Sequence, residues 1–342
     1  MILAGDVGAT KTRIALYDAA ARARREGHAA AGSSLRRIAE ATYPSATHPG
    51  LSPILSAFGR AHPGKVSAAC IGVAGPVRDG RCTTTNLPWV VDAHDVARDL
   101  GLPSAILLND LEAGAWGLGD VAPEALAPLH AGAPDARGNA ALVSPGTGLG
   151  EAGLYWDGRR HRPFATEGGH ASFAPADDLQ AALWRHLAAR HGAVSWERVL
   201  SGPGLVSLYG FLRDTRRGEE PDWLREALAA GDPAAAITDA ALAGRSELCS
   251  GALDLFVALL GAEAGNFALK VMATGGVFLG GGIVPKILPR LKTPILLEAF
   301  FAKGRMRPLL ESMPVRAVLD DRTVLLGAAR RAIEDGSLDY LR

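Results

Sequence analysis

The chain of 342 residues has three cysteines, Cys70, Cys82 and Cys249. They are too few and too scattered for a disulfide scaffold, and no two have the spacing of zinc ligands. Net charge is also missing, since Lys plus Arg and Asp plus Glu both number 36. A general binder of nucleic acid or of anionic membrane needs a surplus of cations, so neither partner is expected. No charge-free apolar run reaches the ~18 residues of a membrane span. The longest candidate, 271–285, is short and broken by glycines. Asp6 interrupts the apolar N-terminus before a signal-peptide core can form. The expected setting is the reducing cytoplasm. No GxxxxGK[ST] run occurs, which removes the P-loop NTPases.

What is present is a globular composition, 48% apolar and 21% charged. The length fits two domains or one large α/β unit. The 41 glycines imply many tight turns and close backbone approaches.

The first segment reads as a strand, Ile2 to Ala4, a turn Gly5 to Lys11, and a second strand, Thr12 to Tyr17. Taken alone, the turn reads equally well as an ordinary β-turn or as a phosphate-binding hairpin. A second copy favours the hairpin. Gly8-Ala9-Thr10 is echoed by Gly146-Thr147-Gly148 at an offset of 138 residues, with Leu142 to Ser144 as the entering strand. Two such units imply an architectural duplication, one hairpin in each of two domains. The chemistry suits phosphate, because glycine lets the main chain come close, successive N–H groups form an anion nest and Thr adds a donor. It is not a dinucleotide fingerprint, since Glu151 stands where the third glycine would be needed.

Ser67 to Val73 and Ala105 to Leu108 read as buried strands, the latter running into Asn109, Asp110 and a helical spacing that continues to Leu118. Asp110 serves there either as a helix N-cap or as a base. In open α/β sheets ligands collect beyond the carboxyl ends of strands, where a carboxylate can accept a hydroxyl proton during phosphoryl transfer.

The runs GDVGATKTR (Gly5 to Arg13), TNLPW (Thr85 to Trp89), LND (Leu108 to Asp110), PGTGLG (Pro145 to Gly150), EGGH (Glu167 to His170), ERVLSGPGL (Glu197 to Leu205) and GGVFLGGGIVPK (Gly275 to Lys286) resemble the bacterial glucokinase family, in that family's order over nearly the whole chain. The resemblance implies an α/β protein with the two-domain actin-like ATPase (ribonuclease H-like) fold, an active site in the interdomain cleft, and a glycolytic kinase that phosphorylates glucose at its 6-hydroxyl with ATP and Mg²⁺. It makes Asp110 the general base. Asn86, Asn109, Asp110, Glu167, His170 and Glu197 become the sugar site, and Gly8, Ala9, Thr10, Lys11, Gly146, Thr147 and Gly148 the phosphate contacts. Asp6 would hold Mg²⁺ through water, adenosine would lie near Gly281 and Gly282, and the assembly would be a homodimer. Plainer readings stand beside these: Glu197 as a helix-surface charge, His170 as a structural histidine, Asn86 as a turn residue, the later glycines as strand–helix packing.

The chain departs from the family pattern at Ala9, where the family more often has Gly, and at Lys11, where it commonly has Asn. If position 9 needs positive φ, Ala carries a penalty of roughly 1 kcal/mol; Lys11 would compensate by reaching a phosphate as a point charge. Ala19 to Ser34 reads as a solvated loop or short helix. The expected organisation is a small domain over 1–110, a large one over 111–320, and a C-terminal helix within 321–342, centred on Val324 to Ile333, that returns to the small domain. Helices are expected at Leu179 to Ala189 and Leu253 to Leu269, and Pro285 near the first position of a further one. The function classes are a glucose kinase, a related sugar kinase of other or broader hexose specificity, such as the ROK group, and a non-catalytic sugar-sensing regulator. No cysteine-rich zinc motif follows His170, as the ROK group would have, and no helix-turn-helix precedes Asp6, as a repressor would have.

Overall fold

A computed structural model of the chain describes residues 1–18, 35–84 and 87–338. The Ala/Arg-rich stretch 19–34 and the candidate Asn86 lie outside the described residues. The chain divides into two compact units, one of Met1–Leu126, Arg162–Ala165 and Asp320–Arg342, the other of Ala127–His161 and Thr166–Leu319.

In chain order the first unit holds β1 (Ile2–Val7), β2 (Lys11–Asp18), β3 (Arg36–Pro44), α1 (Leu51–Ala61), β4 (Ala68–Val73), the short pair β5 (Arg81–Thr83) and β6 (Val90–Asp92), α2 (Ala93–Leu100), β7 (Ile106–Asn109) and α3 (Asp110–Gly117). Its sheet runs β3-β2-β1-β4-β7, with β1 antiparallel to β2 and parallel to β4, and β4 parallel to β7. The inner strands ILAGDV and AACIGV are apolar almost throughout, as parallel strands covered on both faces must be. Helix α1 buries Leu51, Ile54, Leu55 and Phe58, one face at helical spacing, into the core of Leu3, Val7, Ile14 and Ile71.

The following elements are β8 (Leu126–His130), β9 (Ala140–Pro145), β10 (Leu149–Trp156), β11 (His161–Ala165), α4 (Asp178–His191), α5 (Gly202–Asp214), α6 (Asp222–Ala230), α7 (Pro233–Leu242), α8 (Glu247–Val271), β12 (Gly276–Leu279), α9 (Leu288–Leu291), α10 (Pro294–Phe301), α11 (Arg307–Glu311) and β13 (Val315–Val318), all in the second unit except Leu126 of β8 and Arg162–Ala165 of β11, which count with the first. The last element among the described residues is α12 (Thr323–Leu338), which belongs to the first unit and packs on β1, β4 and α3. Within the second unit β9 is antiparallel to β10 and parallel to β12, which is parallel to β13. The inner order β10-β9-β12-β13 repeats β2-β1-β4-β7. The duplication read from two Gly/Thr turns therefore extends to whole sheets.

Helix α8 is the one helix among the described residues long and apolar enough to cross a membrane, and most of it is buried in its own unit's core. An all-round apolar helix belongs in such a core. It is longer than the spacing of apolar residues predicts. Ser246 caps it, accepting from the N–H of Cys249 at 3.3 Å, and Met272, at φ +53°, ends it. Pro285 does not open a helix. Residues 281–287 are turns and α9 starts at Leu288. The Gly280 N–H donates to Val143 O at 2.9 Å and Gly281 takes φ +83°, so the chain is still turning against the end of β9 when it reaches Pro285.

Candidate active site

The first group of predicted residues lies on the first unit. The turn after β1 is closed by Gly8 N–H donating to Lys11 O at 3.1 Å and is held from outside by Ser45. Ser45 Oγ donates to Gly8 O at 2.7 Å and lies 2.9 Å from Thr12 Oγ1, while Ser45 N–H donates to Thr10 O at 3.1 Å. The N–H groups of Ala9 and Thr10 take no partner among the described residues, which is what an anion nest requires. Ala9 is not among the non-glycine residues of positive φ, so the penalty foreseen for it does not arise.

Asp6, on β1, has a side chain 17% exposed. Arg13 Nε donates to its Oδ2 at 3.3 Å, and the same guanidinium reaches Asp321 through Nη1 to Oδ2 at 2.9 Å and Nη2 to the carbonyl at 2.5 Å. Burial pushes the Asp6 carboxyl above its usual range, and Arg13 and Lys11 pull the other way. Mg²⁺ keeps several waters and takes only one or two carboxylates beside substrate phosphates. Asp6, with Oδ1 free of hydrogen bonds among the described residues, fits a contact through water. The Lys11 ammonium, expected to reach phosphate, stands 3.9 Å from Asp321 Oδ2 in an exposed and therefore weak pair.

At the end of β7 the cap falls on Asn109 rather than Asp110. Asn109 Oδ1 accepts from Leu111 N–H at 2.9 Å and Glu112 N–H at 3.4 Å, and its Nδ2 donates to Gly75 O at 3.1 Å. Only one amide hydrogen of Asn109 remains for a ligand. Asp110 opens α3, half-buried, with Oδ1 accepting from Leu111 N–H at 2.9 Å.

The other group lies on the second unit. Gly146 N–H donates to Gly148 O at 2.7 Å, Thr147 is exposed, and the N–H groups of Thr147 and Gly148 take no partner among the described residues. Glu197 Oε2 accepts from Leu149 N–H at 3.0 Å, and its Oε1 stands 4.0 Å from His170 Nδ1. Glu197 is thus half-buried and tied to the hairpin, unlike a surface charge. Glu167 and His170 are exposed at either end of a single turn, Gly168–His170. Gly281 is required to be glycine by its φ and by Pro145 O, which a Cβ would meet at 2.4 Å. Gly282 faces open space, so packing does not demand it.

Sequence reading missed Ser45, Arg13 and Asp321. Arg13 and Asp321 are 308 residues apart, and no local pattern pairs them. It passed Glu151 over as a broken fingerprint, although an acidic residue amid the apolar run of β10 was a usable signal.

A family model described as glucokinase matches residues 3–334. A glucokinase of Nostoc punctiforme is 38% identical over 343 residues, spanning 96% of this chain and 98% of that protein. Among solved structures, a glucokinase from an Antarctic psychrotroph aligns with a TM-score of 0.81 at 31% identity, covering 97% of this chain and 98% of that one. A ROK family glucokinase from Streptomyces griseus, solved in complex with glucose and AMPPNP, aligns at 0.61 and 22% identity, covering 97% and 99%, a likeness of fold alone.

Proposed function

Because the chain belongs to the glucokinase family and is a hexose kinase that phosphorylates glucose, we propose that it transfers the terminal phosphoryl group of ATP to the glucose 6-hydroxyl in the cytoplasm. Asp110 takes the 6-hydroxyl proton as the oxygen attacks. Asn109, through its remaining amide hydrogen, and Asn86 hold neighbouring hydroxyls, as do Glu167, His170 and Glu197, whose carboxylates accept and whose imidazole donates or accepts. A site of that kind rejects analogues lacking a hydroxyl, because its own polar groups would go unpaired.

The N–H groups of Ala9, Thr10, Thr147 and Gly148, with both threonine hydroxyls, receive the β- and γ-phosphates. Gly8, Lys11 and Gly146 are further phosphate contacts in this reading, and Gly281 and Gly282 contacts of the adenosine. Mg²⁺, held through water by Asp6, would neutralise phosphate charge. The donor reading is supported by the Streptomyces griseus protein, whose solved complex contains AMPPNP. The reading of a homodimer, with no nucleic-acid or membrane partner, is supported by the resemblance and the balanced charge; a monomeric mass in light scattering would overturn the dimer.

One observation carries the site reading. Glu197 accepts from Leu149 N–H at the end of the Gly146–Gly148 hairpin and stands 4.0 Å from His170 of the Gly168–His170 turn, which supports reading the proposed hydroxyl contacts and the phosphate-type N–H groups as neighbours on one unit. A coupled assay across hexoses and phosphoryl donors tests it. Glucose with ATP and Mg²⁺ should give the highest kcat/KM. A tenfold preference for another hexose, for ADP or for polyphosphate would overturn the assignment.

A further inference from the structure

Behind the turn that carries Glu167 and His170, the strand β10 buries a carboxyl group. Glu151 is 1% exposed and faces Glu263 of α8, which is fully buried. Among the described residues both side-chain oxygens of Glu151, and Oε1 of Glu263, meet no hydrogen-bond donor. The groups around the pair are on the Glu263 side. Asn266 Nδ2 donates to Glu263 Oε2 at 2.8 Å, and Lys270 Nζ stands 3.7 Å from Oε1. Lys303 Nζ donates to Asn266 Oδ1 at 2.6 Å and to Ala262 O at 2.9 Å. Two bare carboxylates in contact away from water repel and are poorly solvated. One shared proton resolves both problems, with Glu151 donating to Glu263.

The other side of Glu151 is the turn itself. A Cβ on Gly168 would lie 1.9 Å from Glu151 Oε2, and one on Gly169 would lie 2.1 Å from Leu149 O. Thr166 Oγ1 donates to Glu151 O at 2.9 Å and accepts from Gly168 N–H at 3.2 Å. The turn therefore lies directly on this carboxyl group.

We propose that Glu151 and Glu263 form a carboxyl pair sharing one proton, on which the Gly168–His170 turn rests, and that Glu151 is a positioning residue for the sugar contacts of Glu167 and His170. The inference rests on the reading of that turn as part of the sugar site. Burial and the charge of Glu263 push Glu151 up to about 8, with Lys270 offsetting part of that shift. Above that pH the pair carries two negative charges, and the turn is disturbed.

Steady-state kinetics of the full chain from pH 6 to 9.5 test this, comparing wild type with Glu151→Gln, Glu151→Ala and His170→Ala. Gln can donate as the protonated acid does, so Glu151→Gln should keep the glucose KM at pH 7 within about twofold. It should also lose the rise of at least threefold in glucose KM expected of wild type between pH 7 and 9. Glu151→Ala should raise the glucose KM at least tenfold at pH 7 while the ATP KM moves less than twofold. Should Glu151→Ala unfold, the Gln pH profile still decides. Identical pH profiles for wild type and Glu151→Gln would overturn the inference. So would an unchanged glucose KM in Glu151→Ala while His170→Ala raises it, an outcome that leaves the sugar-site reading standing. If neither alanine variant moves the glucose KM, both readings fall.

Discussion

At the scale of single residues, the division of labour between Asn109 and Asp110 makes the base assignment testable without confusing it with folding. Asn109 carries the α3 cap through two backbone N–H groups, so Asp110→Asn leaves the cap intact. Removing a general base typically costs 10²–10⁴-fold in rate, about 3–5 kcal/mol of barrier. Asp110→Asn should thus lose at least 99% of turnover, by roughly that factor, while keeping the rise in melting temperature that saturating glucose gives by mass action. Turnover above a tenth of wild type would exclude Asp110 as the base. Glu167→Ala should raise the glucose KM at least tenfold and lower turnover too, because a misplaced hydroxyl lies outside attack geometry. The ATP KM should move much less, and calorimetry showing unchanged glucose affinity would reassign Glu167 to structure. These candidates were legible because each stands in a short run of characteristic residues. Sequence left Asp110 open between cap and base, because Asn and Asp cap equally well and only the geometry gives the cap to Asn109.

At the scale of elements, period and caps decide what sequence reveals. The strand Leu142 to Ser144 and the helix Leu179 to Ala189 were legible from their apolar spacing, and the elements, Ala140–Pro145 and Asp178–His191, are longer by only one or two residues at each end. Asp177 accounts for one such boundary, its Oδ1 accepting from Gln180 N–H at 2.8 Å. The contact between α3 and α12 was not legible, because it depends on two glycines far apart in the chain. A Cβ on Gly327 would stand 1.6 Å from Ala113 O, and one on Gly117 would stand 2.0 Å from Thr323 O, so the helices meet backbone to backbone. Gly327→Ala gains about 1 kcal/mol of helix propensity. Against that stands overpacking, typically 1–3 kcal/mol and more where, as here, the obstacle is main chain that cannot rotate aside. The variant should be destabilised by at least ~1 kcal/mol net. Gly210 in α5 is the control, for nothing lies within 4 Å of its would-be Cβ. Gly210→Ala should stabilise by up to ~1 kcal/mol. Denaturant midpoints of the two variants should therefore move in opposite directions, and a shift of both in the same direction would refute the close-approach argument.

At the scale of the molecule, balanced charge sets how stability responds to pH. With 36 residues of each sign and a pI near 7.1, the chain develops little net charge around neutrality, so self-repulsion contributes little to the slope there. Individual groups with displaced titrations then dominate. The carboxyls lowered by hydrogen bonds and cations, Asp214 and Glu220, act in the acid range: their stabilisation is present above the unfolded pKa and is lost as pH falls through the folded one. Glu151 has the opposite sign. Its unfolded value is 4.5 and burial beside Glu263 raises the folded one to about 8, so between those limits the native state holds a proton that the unfolded chain releases. Its contribution is fully present below pH 4.5 and is lost progressively as pH rises through about 8. Wild-type melting temperature should accordingly fall by several degrees from pH 6 to 9, more steeply than that of Glu151→Gln, which has no proton to release. Asp6, whose raised value acts in the same direction in both proteins, cancels from the difference between the two, which therefore reports the Glu151–Glu263 pair. The variant should match wild type near pH 6 and exceed it at pH 9, as read by calorimetry in buffers of equal ionic strength. Parallel melting curves across that range would mean that Glu151 releases no proton there and that its burial is sustained by something other than a shared hydrogen.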